Sequence, residues 1–273
     1  MRILVTGSGG RLGRLLFAAR KLSGPQTPRF IFQSRKPGRD LQWSPDMPLG
    51  HLPNCDVIIA LWGVTSGSDN ALAENAALVE TTRRTARACG AERVFHLSSA
   101  AVYGPGAQMS ETTETAASTA YGKAKIDMEA AVRAARDTYR HCVLRLANVV
   151  GADSLAPALL SHGDVTLDRF ADGHGPRRSY IGATDLLRVF RGLSELDADL
   201  MPPAINIAAA DPVSMEDLAV AAGKAVIWRP APVTGIQDAT LDVTRMRTLL
   251  PEVRPASDPK ALWDELRRLE DQS

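Results

Sequence analysis

Lysine is scarce in this chain: of its 32 basic residues, 26 are arginine and only 6 are lysine. Aromatic residues make up 5% of the 273 positions, and there are 3 cysteines. Cys55, Cys89 and Cys142 are far apart with no C-x-x-C, so neither a disulfide framework nor a cysteine zinc site is indicated, and they read as buried thiols. The 5 histidines, at 51, 96, 141, 162 and 174, show no H-x-x-x-H spacing, which argues against a metal site. His96, inside an apolar run, reads as a satisfied core residue rather than a ligand. A net charge of +1 gives no electrostatic reason to expect nucleic acid or a membrane surface as partner. No run of 18 apolar residues occurs, and Met1-Arg-Ile-Leu-Val-Thr-Gly reaches a glycine turn by residue 7 without the apolar segment of a signal peptide. These absences leave a cytoplasmic protein acting on a small molecule as the expectation.

What is present is an alternation. Arg2 to Thr6 is a short apolar run, followed by a glycine turn and the helical pattern Leu12, Leu15, Leu16, Ala19. Further strands are expected at Arg29–Gln33, Asp56–Leu61, Arg93–Ser98 and Cys142–Leu146, each apolar enough to be buried on both faces. Helices are expected at about 70–89 and 121–138, and later at about 183–195, 214–224 and 259–270. Strand and helix in alternation imply a parallel sheet covered by helices, and the length fits one core with a smaller appended lobe. Pro251 to Pro259 reads as an irregular surface connection.

Thr6-Gly7-Ser8-Gly9-Gly10-Arg11-Leu12-Gly13 lies between the first strand and the first helix. Glycines there allow a tight turn and close approach of backbone to a pyrophosphate, and the helix N-terminus attracts its charge. Arg11 and Arg14 fall in the first turns of that helix, where cations are ordinarily unfavourable; an anionic ligand resolves the conflict, and pointing to solvent is the alternative. The second strand ends Gln33-Ser34-Arg35-Lys36 with no acid to hold ribose hydroxyls. Ser34 and Arg35 therefore point to NADP, with NAD the alternative.

Two of the few lysines fall in Tyr121-Gly122-Lys123-Ala124-Lys125. Residues i and i+4 share a helix face, so the Lys125 ammonium is expected beside the Tyr121 phenol, lowering its pKa from about 10 and making it an acid/base. A solvated lysine beside a surface tyrosine is the plainer alternative.

Taken in order, these motifs resemble the extended short-chain dehydrogenase/reductase family, also called the NAD-dependent epimerase/dehydratase family, over nearly the whole chain. The resemblance implies a Rossmann-like doubly wound sheet at 1–151, with returning segments near 178–210, and a smaller C-terminal α/β substrate lobe mostly within 152–273. Asp56-Val57-Ile58-Ile59-Ala60-Leu61 is similar to the family's fourth strand, whose end lies against the cofactor, which brings in Leu61 and Trp62. With them the resemblance assigns Gly7, Gly9, Gly10, Arg11, Leu12 and Gly13 to the dinucleotide. Ser98-Ser99-Ala100-Ala101-Val102-Tyr103-Gly104 is similar to S-S-x-x-V-Y-G, which gives Ser99 the reacting oxygen and leaves Ser98 structural. Tyr121 and Lys125 match Y-x-x-x-K, and Glu111-Thr-Thr-Glu-Thr looks like the acidic loop before it. Leu144-Arg145-Leu146-Ala147-Asn148-Val149-Val150-Gly151 resembles L-R-x-x-N-V-Y-G, whose Asn faces substrate. Arg178-Ser179-Tyr180-Ile181-Gly182 is similar to R-D-x-I-H, whose Arg meets a substrate phosphate, although Ser179 and Gly182 replace the Asp and the His. Arg229-Pro230 looks like an R-x-G-D phosphate site without its Gly-Asp.

The implied chemistry is hydride transfer at a secondary alcohol or ketone of a sugar, nucleotide sugar or related small molecule. Tyr121 moves the proton, Ser99 donates to the oxygen, and Lys125 holds the ribose and sets the phenol. Dehydration is disfavoured, because Ala100-Ala101 stands where a dehydratase carries Asp-Glu. A non-catalytic dinucleotide sensor on the same fold is the alternative, though it has no need of the trio. Family habit also implies a homodimer through the helices at 70–89 and 121–138, against which Arg83, Arg84, Arg87, Arg133 and Arg136 make those surfaces polar.

Overall fold

The apolar runs of the first half become strands of one parallel sheet, and the alanine- and arginine-rich segments between them become the helices that cover it. The computed structural model describes residues 1–24 and 28–272. In chain order the first half runs β1 (Arg2–Thr6), α1 (Arg11–Leu22), β2 (Arg29–Ser34), β3 (Leu41–Gln42), β4 (Val57–Ala60), α2 (Asp69–Cys89), β5 (Arg93–Ser99), β6 (Gly106–Met109), α3 (Ala120–Ala134) and β7 (Arg140–Leu146). There follow β8 (Asn148–Val149), α4 (Ala156–Leu160), β9 (Val165–Arg169), β10 (Arg177–Arg178), β11 (Tyr180–Ile181) and α5 (Ala183–Glu195). The chain ends with β12 (Ala204–Ile207), β13 (Val213–Ser214), α6 (Met215–Ala221), β14 (Val226–Pro230), β15 (Asp238–Leu241), α7 (Thr244–Leu249) and α8 (Pro259–Glu270).

Seven strands form the central sheet in the order β12-β7-β5-β4-β1-β2-β3, every pairing parallel. The chain leaves β1 for β2 on one side and returns to β4 on the other. That reversal opens a crevice at the carboxyl ends of the strands, where α/β sheets bind ligands. Alternation across the strands separates two buried faces: Ile3, Val5 and Ile59 join the larger core beneath α1 and α5, whereas Leu4, Ile58 and Val94 pack toward α2. The three cysteines are buried and free. Among the described residues no helix is long and apolar enough to cross a membrane.

Ser68 caps α2, its side chain accepting from Ala71 N, and Gly90 ends that helix in the left-handed region. Thr119 caps α3 in the same way through Gly122 N, at 3.0 Å. Residue 122 has to be glycine for α3 to seat: a Cβ there would lie 2.4 Å from the Ala101 carbonyl oxygen. That contact brings the first turn of α3 onto the turn that follows β5.

Three differences from the sequence reading have local causes. α3 stops at Ala134 rather than near 138, because Ala135 turns extended and Asp137 swings toward α2 to meet Arg83 Nε at 2.6 Å. α6 stops at Ala221 as the chain bends into Gly223 at φ +71. β12, not named as a strand in the sequence reading, joins the sheet from within the expected returning segments near 178–210, anchored by fully buried Asn206. Its Nδ2 donates to Met109 O and Asp242 O, and its Oδ1 accepts from the Tyr103 hydroxyl at 2.8 Å. Beyond the sheet, β13, β10, β15 and β6 form a smaller four-stranded layer.

Candidate active site

The glycine turn is built as a cradle. Gly7 has φ +69 and lies so close to the 62 backbone that a Cβ would stand 2.5 Å from Trp62 N. A Cβ on Gly13 would lie 2.3 Å from Ser8 Cα, so α1 packs directly on the turn. Gln33 fixes the loop from beneath: its Oε1 accepts from Gly7 N at 2.8 Å, its carbonyl accepts from Ser8 N and Ser8 Oγ, and its Nε2 donates to Trp43 O. α1 then starts at Arg11 behind Gly10, with no side-chain cap on its first N–H groups. Arg11 is half-buried with no hydrogen bond or ion pair to its side chain among the described residues, and Leu12 packs on the core. These features fit a pyrophosphate: close backbone, free N–H groups and unspent positive charge.

At the end of β2, Ser34 is buried and its Oγ accepts from Lys36 N at 3.1 Å. Gly9 comes so near that a Cβ there would lie 2.9 Å from Ser34 Oγ. Arg35 is exposed, and Arg39 stacks over the Phe17 ring at 4.4 Å, where burial and Arg14 lower its pKa. Asp40 lies near this strand end, its Oδ2 accepting from Phe32 N at 2.9 Å and its Oδ1 from Arg20 Nη2 at 3.0 Å. Leu61 and Trp62, both half-buried, close the crevice at the end of β4, and Trp62 Nε1 donates to Thr82 Oγ1 at 2.9 Å.

Ser99 ends β5 and Tyr121 opens α3, and the seat at Gly122 brings the two side chains near enough for the Ser99 hydroxyl to act on the Tyr121 phenol. The expected effect of Lys125 on Tyr121 requires correction. Burial raises the phenol pKa, and the opposing, downward pull comes from Ser99 rather than from the ammonium. Lys125 does share the face: Nζ lies 5.8 Å from the Tyr121 ring centroid and donates to Leu97 O at 2.9 Å. At 4% exposure the ammonium is itself perturbed; burial pulls it down to about 8 while Glu129 pushes it back up.

Two supporting residues, Glu129 and Asn75, escaped the sequence reading. Glu129 follows Tyr121 and Lys125 at the same i+4 step and is 1% exposed. It takes Arg145 in a two-point pair, Nε at 3.1 Å and Nη2 at 2.8 Å, and accepts from Ser98 Oγ at 2.7 Å. Asn75, buried on α2, clamps residue 64 through both backbone groups. It stands with Lys125 Nζ around Gly63, where a Cβ would meet both side chains. The signal for Glu129 was an acid extending the Tyr121–Lys125 stripe; for Asn75, a lone amide on the buried face of an alanine-rich helix.

The substrate-side residues are less concentrated. Asn148, half-buried on β8, pairs in register with Tyr180 on β11, whose hydroxyl donates to Asp153 Oδ2 at 3.1 Å. Arg178 is not free: Nη1 donates to the carbonyls of Arg177 and Gln237, and Nη2 to that of Ile236, at 2.7–2.8 Å. Ser179 is buried and its Oγ accepts from Leu241 N, so the hydroxyl serves the backbone. Arg229 pairs with Asp168 at 2.6 Å on β14 and β9.

A family model described as the NAD dependent epimerase/dehydratase family matches residues 3–208. A search of curated proteins finds no sequence match. Among solved structures the chain is similar to MoeE5 in complex with UDP-glucose and NAD, at 19% identity and a TM-score of 0.77 over 99% of each chain. It is similar to the UDP-glucuronic acid 4-epimerase from Bacillus cereus in complex with UDP-glucuronic acid and NAD, at 19% identity and a TM-score of 0.76 over 100% of each chain. A third likeness is to TunA, a NAD dependent-NDP-hexosamine 5,6-dehydratase involved in tunicamycin biosynthesis. Its identity is 18% and its TM-score 0.76, over 100% of this chain and 98% of that one.

Proposed function

We propose, on the premise that the chain belongs to the NAD dependent epimerase/dehydratase family, that it is a hydride-transfer enzyme acting at a secondary alcohol or ketone of a nucleotide sugar. The approach of Ser99, at the end of β5, to Tyr121, at the start of α3, with Lys125 Nζ 5.8 Å from the Tyr121 ring, carries this reading. Residues 7–13 hold the pyrophosphate and Lys125 the adjoining ribose. Ser34 and Arg35 receive a 2′-phosphate, which makes NADP the preferred dinucleotide. The nicotinamide supplies or accepts the hydride.

The protein's own part is proton transfer and orientation. Ser99 donates to the substrate oxygen and Tyr121 gives or takes its proton. Burial holds that proton on the phenol, so Tyr121 acts as an acid in the reductive direction, and Ser99 eases its loss in the other. Support for a nucleotide sugar comes from the compared structures that hold UDP-glucose and UDP-glucuronic acid, which align with this chain end to end. Asn148 is the residue placed to face it. Dehydration remains disfavoured, because Ala100 and Ala101 supply no acid beside Ser99.

The test is a substrate screen read by dinucleotide absorbance, offering UDP-glucose, UDP-glucuronic acid, free sugars and small ketones with NAD(H) and NADP(H). A net change assigns a dehydrogenase or reductase; product formed without a net change assigns an epimerase. No turnover with any of them, despite dinucleotide binding, would favour a sensor.

A further inference from the structure

His96 and His141 form a hydrogen-bonded pair that none of the roles above uses. His96, on β5, is 2% exposed, and its Nε2 lies 2.9 Å from Nδ1 of His141 on β7, the rings stacked with centroids 5.2 Å apart. On its far side, His141 Nε2 lies 3.0 Å from Asp137 Oδ2. That carboxylate is fixed by Arg83, Nε at 2.6 Å and Nη2 at 3.1 Å, which keeps it ionised.

The order of partners places the protons. An ionised carboxylate only accepts, so His141 carries its hydrogen on Nε2. Neutral His141 then accepts at Nδ1, so His96 carries its hydrogen on Nε2 and leaves Nδ1 as an acceptor. The result is a directed chain whose outer end is Asp137 and whose inner end is His96 Nδ1. Arg83 and Arg87 from α2, Lys125 from α3, and Asp137 and Tyr139 from the connection into β7 are the charged and titratable groups around it.

The inner end approaches the reaction centre. His96 lines a cavity of about 10 Å³, room for roughly one water, together with Asn75, Leu97 and Met128. Leu97 O and Met128 Sδ are the atoms that hold Lys125 Nζ, at 2.9 and 3.8 Å. Cavity, ammonium and imidazole thus share walls beneath α3.

We propose that His96 and His141 carry protons between the Lys125 ammonium and the surface seam of α2 and α3, with Asp137 orienting the outer ring. The proposal rests on the reading that Tyr121 and Lys125 handle the proton of a hydride transfer. In the oxidative direction Lys125 passes a proton to a water in the cavity, and that water passes one to His96 Nδ1. The His96 Nε2 proton moves to His141 Nδ1, and the His141 Nε2 proton leaves to solvent beside Asp137. Each N–H or O–H bond broken is matched by one formed, Lys125 is reloaded from the Tyr121 side and one proton exits, leaving both rings as Nδ1–H tautomers that the inward transfer resets. The reverse sequence delivers a proton for reduction.

The experiment needs only dinucleotide. A cationic nicotinamide beside Lys125 and Tyr121 disfavours their protons, so NADP⁺ or NAD⁺ binding at a pH near 8 releases protons, which a pH-indicator dye follows in stopped flow. Expected are unchanged binding rates in His96→Gln and His141→Asn with proton release slowed roughly 10-fold or more, the loss of one proton-transfer partner. Release that keeps pace with binding in both variants overturns the relay and leaves the functional reading standing. Absence of dinucleotide binding, or equal release from Tyr121→Phe and Lys125→Met, removes the functional reading and the relay with it. If the variants misfold, ¹⁵N–¹⁵N coupling between His96 Nε2 and His141 Nδ1 in the wild-type protein decides: its presence supports the chain, and its absence overturns it.

Discussion

The stripe Tyr121–Lys125–Glu129 on α3 and the arginines of the second half, Arg178 and Arg229, use charge in opposite ways. On α3 Lys125 and Glu129 are buried and Tyr121 is half-buried, and each is answered by partners from other elements: Ser99 and Leu97 from β5, Arg145 from β7, Ser98 again from β5. Arg229 instead sits 64% exposed against Asp168, and Arg178 is absorbed by three carbonyls of its own lobe. The stripe on α3 is therefore fixed from several sides at once, whereas Arg178 and Arg229 are held by local contacts.

Breaking the buried side of this contrast should cost most. Glu129→Ala leaves the Arg145 guanidinium buried and unpaired, and a loss of about 3–5 kcal/mol in unfolding free energy is expected by denaturant titration. A smaller effect comes from pH. Burial pulls the His96 pKa down to about 3, below the ~6.5 of a free imidazole, so between these values the unfolded chain binds a proton that the native one refuses. Stability is then complete above ~6.5 and falls as pH drops toward 3, by about 2 kcal/mol between pH 6.5 and 5. His96→Gln should flatten that part of the profile by about one proton. Gly122→Val would push a side chain onto the Ala101 carbonyl, lifting α3 from its seat, with a loss of about 1–3 kcal/mol that thermal unfolding would register. Arg35→Ala should weaken NADPH binding about 10-fold and leave NADH unchanged in parallel titrations. Arg229→Ala, on the exposed side, should shift stability by about 1 kcal/mol or less.

Five of the seven central strands, β1, β2, β4, β5 and β7, were legible as short, largely apolar runs, and the glycine turn because a βα junction at the N-terminus leaves few other uses for Gly7 and Gly13. The two-residue strands β3, β8, β10, β11 and β13 carry no periodicity to read, and β12 hides an asparagine in its middle. Tyr121 and Lys125 were visible through spacing, yet the sign of the Tyr121 shift was not: burial, which decided it, is a property of the assembled fold. The His96–His141 bond joins residues 45 apart and follows from the β5–β7 register, where Val94 faces His141 and His96 faces Val143. No local pattern announces it. The Arg178 resemblance marked a residue type correctly while missing that its donors are spent on Gln237 and Ile236.

The proton-transfer role of Tyr121 is tested most directly by comparing Tyr121→Phe with the wild-type protein on whichever nucleotide sugar turns over, alongside NADPH binding by fluorescence. The account requires turnover to fall by about 10²–10⁴-fold while NADPH affinity stays within about 3-fold. Turnover in Tyr121→Phe equal to that of the wild type would contradict it.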